Sequence, residues 1–252
     1  VKQRTARPGF VAGLESVLSG VGFILRTPPT WPWAMVPALL LLVLSGVLAS
    51  GAVLLTRSVI EQWIGHPESF IGRAGASVLG WVGAVLAAVL GLLVAMALTP
   101  PLSSPALEHI VGQVEERIAA PPRVPLGFLQ EMLSGLKAQA VAALFAVPLL
   151  SILWLIELFV SPAVFVTVPL KFLVSALCLA WNLFDYPLTL RGVRMRDRLR
   201  LVRAHPRSAL GFGIGFAMLF WLPCFGILML PVGVAAATRL VWRILDSDPD
   251  VL

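Results

Sequence analysis

The stretch GFGIGFAMLFWLPCFGILMLPVGVAAAT, residues 211–238, decides how the chain is read. It is apolar throughout, yet Pro223 and Pro231 interrupt it. The first arm, residues 211–222, falls short of the roughly 20 apolar residues that a spanning helix needs. A segment of this kind is expected to enter a bilayer and turn back. Broken backbone at membrane depth must find its hydrogen bonds in protein or trapped water, so such hairpins tend to line pathways or binding sites. The segment therefore points to a channel or transporter.

The rest of the chain agrees with a membrane setting. Hydrophobic residues make up 58% of the 252 positions and charged ones 13%, with a mean hydropathy of +0.92. These values exclude an ordinary soluble domain. Two spans are expected at 34–56 and 74–98. A longer apolar region, 138–184, is divided at Ser161-Pro162 into the two arms of a helical hairpin that crosses or dips into the bilayer. The fold class is thus all-α: an integral membrane protein with two long transmembrane helices, two proline-broken hairpins that in part penetrate the membrane, and interfacial amphipathic helices. Pro162 and Pro169 are spaced seven apart and Pro223 and Pro231 eight apart, an echo consistent with two hairpin tips.

Within this single membrane domain, residues 8–26 carry Phe10, Leu14, Val17, Leu18, Val21, Ile24 and Leu25 at helical spacing, opposite Gly13, Glu15, Ser16 and Ser19. That is the pattern of an interfacial helix. Trp31 and Trp33 follow at the expected headgroup level. Residues 1–33 lack a short apolar core with a small-residue cleavage site, so the first span is expected to serve as the targeting element. Residues 57–73 form an external loop with Trp63, His66 and Glu68. Residues 103–137 read as cytoplasmic amphipathic helices, the first bearing Glu108, His109, Gln113, Glu115, Glu116 and Arg117 on a solvated face. A basic cytoplasmic linker occupies 185–207, and the re-entrant hairpin 208–243.

Charge placement supplies the orientation. Of 19 Lys and Arg, all but Arg57, Arg73 and Lys171 fall on one side if the hairpins return. The positive-inside rule puts that side, with both termini, in the cytoplasm. The basic stretch from Arg191 to Arg207, with Met195, Leu199 and Val202 at helical spacing, suits a helix on an anionic leaflet. No aromatic platform accompanies it, so nucleic acid is not an expected partner. Cys178 and Cys224 are isolated thiols in apolar segments and imply neither disulfide nor metal. No nucleophile elbow, metal-spaced cluster or phosphate loop is present; neither an enzyme nor a cofactor is expected.

Ionisable residues at membrane depth are the natural functional candidates: Glu157, Lys171 and, at the edge, Asp185. Glu157 and Lys171 are expected either to pair across the hairpin or, for Lys171, to meet a permeating anion. Oxyanions are held by backbone N–H groups at helix starts with added Arg or hydroxyls. Candidate anion-binding residues are therefore Arg26, Thr27, Thr30 and Trp31 before the first span, Ser103 and Ser104 beside Pro105, and Lys171. The turn near Pro223 is a further candidate.

The C-terminal third carries a recognisable pattern: Asp185-Tyr186-Pro187, a basic linker, Phe212-Gly213, Pro223, Pro231 and Thr238. This resembles the CysZ-type sulfate permeases, a bacterial branch of the etoposide-induced-protein-like membrane family. Pro28 and Pro37 around the start of the first span, and Pro105 with Gln113, Glu115 and Arg117, extend the likeness. The resemblance implies a multi-pass protein of the bacterial inner membrane, homo-oligomeric and in contact with lipid, passing sulfate for cysteine biosynthesis by a channel-like mechanism. It also implies a Gly and a pair of anion-binding arginines shortly after Pro28; here Pro29 and Trp31-Pro32 stand in those places. The alternative expectation is a non-transporting relative with a structural, lipid-interacting or membrane-assembly role.

Overall fold

A computed structural model describes residues 8–64, 70–121, 127–219 and 229–249. Among them every regular element is helical: α1 (Phe10–Leu25), α2 (Trp31–Ile64), α3 (Phe70–Leu102), α4 (Ser104–Arg117), α5 (Phe128–Phe159), α6 (Val164–Thr189), α7 (Met195–Ala204), α8 (Pro206–Leu219) and α9 (Met229–Ser247), with 3-10 turns at Pro28–Thr30 and Ser161–Ala163. Four stretches are long and apolar enough to cross a membrane: Pro28–Gln62, Ser77–Leu102, Met132–Phe159 and Ser161–Thr189. Both arms of the 138–184 hairpin thus reach spanning length, with Ser161-Pro162 in the turn between them. The turn near Pro223, Cys224, and the loop residues His66 and Glu68 lie outside the described residues, as does the side chain of Trp63.

The chain divides into two compact units. One comprises residues 37–103, the membrane-length parts of α2 and α3. Gly91 lets α3 lie against the backbone of Leu48 and Ala49, where a Cβ would stand only 2.8 Å from the Leu48 carbonyl oxygen. Small residues at a helix contact are how membrane helices gain close packing, since lipid offers no hydrophobic drive. The outward faces carry Leu42, Leu54, Trp81, Leu86 and Leu90, all exposed on this unit.

The other unit, residues 1–36 and 104–252, holds the principal core. Phe184 of α6 and Phe212 and Phe216 of α8 are buried, with ring centroids 5.0 Å apart for the first pair and 6.0 Å for the second. Each such side chain contributes about 1.5–3 kcal/mol when taken from water, and pairs of rings add about 0.5–1.5 kcal/mol. Around them pack α1 and α9, while α4 lies on α9 through Leu107, Ile110, Val111 and Val114.

The packing of α1 differs from a helix with its polar side to water. Its buried face is Gly13, Ser16, Val17, Gly20, Phe23 and Ile24, whereas Phe10, Val11, Leu14, Leu18 and Leu25 are exposed. In a membrane protein the small residues go to helix contacts and the large apolar ones to lipid.

The end of α6 sets up the basic region. Gly192 takes φ +66°, its N–H donates to Thr189 O at 2.8 Å, and the Val193 N–H donates to Leu188 O at 3.0 Å. This pair of bonds is a Schellman stop, for which glycine is the least strained residue. The chain reverses there, and α7 returns with Arg198 beside Asp185.

Candidate functional site

The corner between α1 and α2 contains four of the predicted anion-binding residues. Thr27 cannot continue α1 because Pro28 and Pro29 follow, and a 3-10 turn results. The hydroxyl of Thr27 donates to Phe23 O at 2.7 Å, that of Thr30 to Thr27 O at 2.6 Å, and the indole N–H of Trp31 to Ile24 O at 2.9 Å. Thr27 and Trp31 thus donate to carbonyls in the last turn of α1, and Thr30 closes the turn on Thr27. Thr30 is fully buried; Trp31 is 51% exposed.

Arg26 is the C-cap of α1 and exposed. Its guanidinium makes no hydrogen bond or ion pair with a described residue. The corner is braced by α4: the rings of Trp33 and His109 lie 4.6 Å apart, and His109 Nε2 shares a 2.9 Å hydrogen bond with Gln113. The corner thus offers one uncommitted cation on a rigid support.

The other predicted residues belong to other elements. Ser104 is buried in the first turn of α4. Ser103 belongs to the α2–α3 unit and donates to Thr99 O. Lys171 is far along the α5–α6 hairpin, where its ammonium donates to Glu157 Oε2 while Thr167 donates to Oε1. One carboxylate thereby ties both arms of the hairpin near its turn. Replacing Lys171 by Met is expected to lower the melting temperature by several degrees, because the Glu157 charge loses its counter-ion at membrane depth. The double variant Glu157→Gln/Lys171→Met is expected to recover most of that loss in a thermal-unfolding comparison.

Two clusters outside the corner hold buried charges. Glu115 is buried, 7% exposed, and accepts from Arg191 Nε at 3.0 Å and from the Trp242 indole at 3.4 Å. It is not part of a solvated charged face. The signal is its register, four and eight residues after the buried Val111 and Leu107. Arg191 also donates to Pro121 O at 2.9 Å and lies 4.3 Å from the centre of the Trp242 ring. The second cluster is Asp185, Thr189 and Arg198. Arg198 Nη1 donates to Asp185 and, at 2.6 Å, to Thr189; its Nε donates to Val193 O at 2.8 Å. Both side chains of the ion pair are 7% exposed. Asp197 stays outside this group and bonds Arg194 and Arg200 along α7.

Described residues whose regular structure is all helical, with four membrane-length stretches, a proline-turned hairpin and internal charge pairs, define a multi-pass membrane protein. Residues 16–231 match the family model described as sulfate transporter CysZ/etoposide-induced protein 2.4. The chain belongs to that family. A comparison with curated proteins found no match.

Proposed function

We propose that the protein is a channel-like permease for sulfate or a related small inorganic anion in the bacterial inner membrane. The observation that carries this reading is the family match across 16–231, which covers the α1–α2 corner, both spanning pairs and the start of α9. The anion is taken up at the α1–α2 corner, where Arg26 supplies the charge beside the start of α2; the Thr30 and Trp31 N–H groups are already given to Thr27 O and Pro28 O, and Pro32 has none. A tetrahedral oxyanion suits this combination, since a guanidinium pairs with two oxygens at once and a helix start adds oriented dipoles. Lys171 is already engaged by Glu157, so the hairpin holds its arms together and contributes walls to the pathway. Homo-oligomeric assembly and lipid contact belong to the same reading.

A second reading is favoured by one observation. Trp31-Pro32 stands where the resemblance places an arginine pair, and the Trp31 N–H is spent on Ile24 O. An indole and an imide cannot grip an oxyanion in two-pronged fashion. A relative without transport, serving lipid organisation or membrane assembly, fits that substitution.

The test is radiolabelled-sulfate flux through Arg26→Ala in proteoliposomes. Arg26 is exposed and supports no contact in the fold, so the variant is expected to fold normally and to lose flux several-fold. Flux equal to that of the unaltered protein would remove Arg26 from the pathway.

A further inference from the structure

A cleft of about 330 Å³ opens between the end of α4 and the second half of α9. Ala119 and Pro121 contribute one wall; Arg239, Trp242, Arg243 and Asp246 contribute the other. None of the described residues that line the cleft is among the corner residues named above.

Its charge is distinctive. Arg239 and Arg243 lie one turn apart on the same face of α9, a like-charge arrangement that weakens a helix. Arg117 adds a third guanidinium: it lies 4.9 Å from the centre of the buried Phe23 ring, and Arg239 lies 6.0 Å from the same centre. Partial burial, with Arg243 and Arg117 close by, lowers the Arg239 guanidinium from its ordinary value. Neither Arg117 nor Arg243 makes an ion pair or hydrogen bond with a described residue. Among the described residues that line the cleft, Asp246 is the one carboxylate against Arg239 and Arg243. Glu115, the nearest buried carboxylate, is engaged by Arg191 and the Trp242 indole.

The site is also pre-organised. Arg239 Nη1 donates to Ser19 O at 3.1 Å, which anchors the guanidinium at one nitrogen and leaves other N–H groups for a ligand. The Phe23 ring beneath excludes water from one side of that plane. Trp242 is held in place by Glu115 and covered by Arg191. At the end of α4, Ala119 adopts φ +51° and Ala120 N–H donates to Glu115 O at 2.9 Å, so the wall is a closed turn. Like-charged side chains gathered on one cleft form a receptor for multivalent anions, and guanidiniums select tetrahedral oxyanions by two-pronged bonding.

We propose that this cleft binds a tetrahedral oxyanion, either free phosphate or the phosphate of an anionic phospholipid. The location, beside the end of α1 and at the polar end of α9, sets it at the level of lipid headgroups on the side the charge distribution assigns to the cytoplasm.

The experiment uses the full chain purified in detergent, in two arms. Native mass spectrometry measures binding of phosphatidylglycerol against phosphatidylcholine, and equilibrium dialysis measures radiolabelled inorganic phosphate. Arg239→Gln/Arg243→Gln is compared with Arg196→Gln/Arg207→Gln, a control pair of exposed arginines elsewhere. The cleft pair is expected to weaken one ligand by about tenfold or more, since a charged hydrogen bond is worth about a decade in affinity. Loss of phosphatidylglycerol with phosphatidylcholine unchanged identifies a lipid phosphate; loss of inorganic phosphate identifies a free ion. Arg243→Gln alone touches no internal contact and gives the same reading, several-fold in size, should the double variant fail to fold. Equal binding by the unaltered and cleft-substituted proteins, or equal loss in the control pair, would overturn the proposal.

Discussion

Arg198→Met is expected to destabilise the protein by about 3–5 kcal/mol, the usual result of stripping one partner from a buried ion pair. The substitution leaves the Asp185 carboxyl enclosed without its counter-ion, with Thr189 as its remaining hydrogen-bond donor among the described residues. It also abandons the Val193 carbonyl and so loosens the turn that returns α7 to the core. Thermal unfolding in detergent and the elution profile of the purified protein measure the effect. A melting temperature equal to that of the unaltered protein would mean the pair is not buried. The paired change Asp185→Leu/Arg198→Met is expected to be far milder, because removing both charges also removes their desolvation cost. Asp185→Asn sits between the two: it keeps an acceptor for Thr189 but gives up the charge, and it is expected to harm yield and assembly before transport.

The second large effect concerns close approach of helices. Gly213→Ala is expected to cost about 3 kcal/mol, at the upper end for inserting a group into a filled site. A Cβ there would run into the backbone carbonyl of Ala176 on α6, and one at the neighbouring Gly211 would run into that of Phe10 on α1. Carbonyls cannot rotate aside as a flexible side chain can, so α8 would have to move away from α6. Gly22→Ala provides the contrast: nothing lies within 4 Å of its Cβ position, and alanine in that helix is expected to be neutral or stabilising by about 0.5–1 kcal/mol. Equal behaviour of the two variants would contradict the packing described for α8.

Much of the architecture is legible in the residues themselves. Long apolar runs and proline positions place the spanning helices and the Ser161-Pro162 turn, because those features act through composition and backbone geometry alone. Partnerships are harder. Nothing local marks Arg198, among the seven arginines from Arg191 to Arg207, as the one that turns inward to Asp185; the Schellman stop at Gly192 decides it. Glu115 looks like its neighbour Glu116 until its register with Leu107 and Val111 is traced. The inward face of α1, with Gly13, Ser16 and Gly20, is a contact that the apolar periodicity does not mark. At the α1–α2 corner, sequence identifies the hydroxyls and the indole, but only the fold reveals that they donate to Phe23, Thr27 and Ile24 and leave Arg26 as the uncommitted donor.

The central claim is that this chain passes a small inorganic anion, and it is tested most directly by uptake of radiolabelled sulfate into proteoliposomes holding the unaltered protein. Saturable uptake above empty liposomes, suppressed by competing oxyanions, is the predicted result. Uptake no greater than that of empty liposomes, from protein shown to be folded, would contradict it and leave the structural reading of this family member in its place.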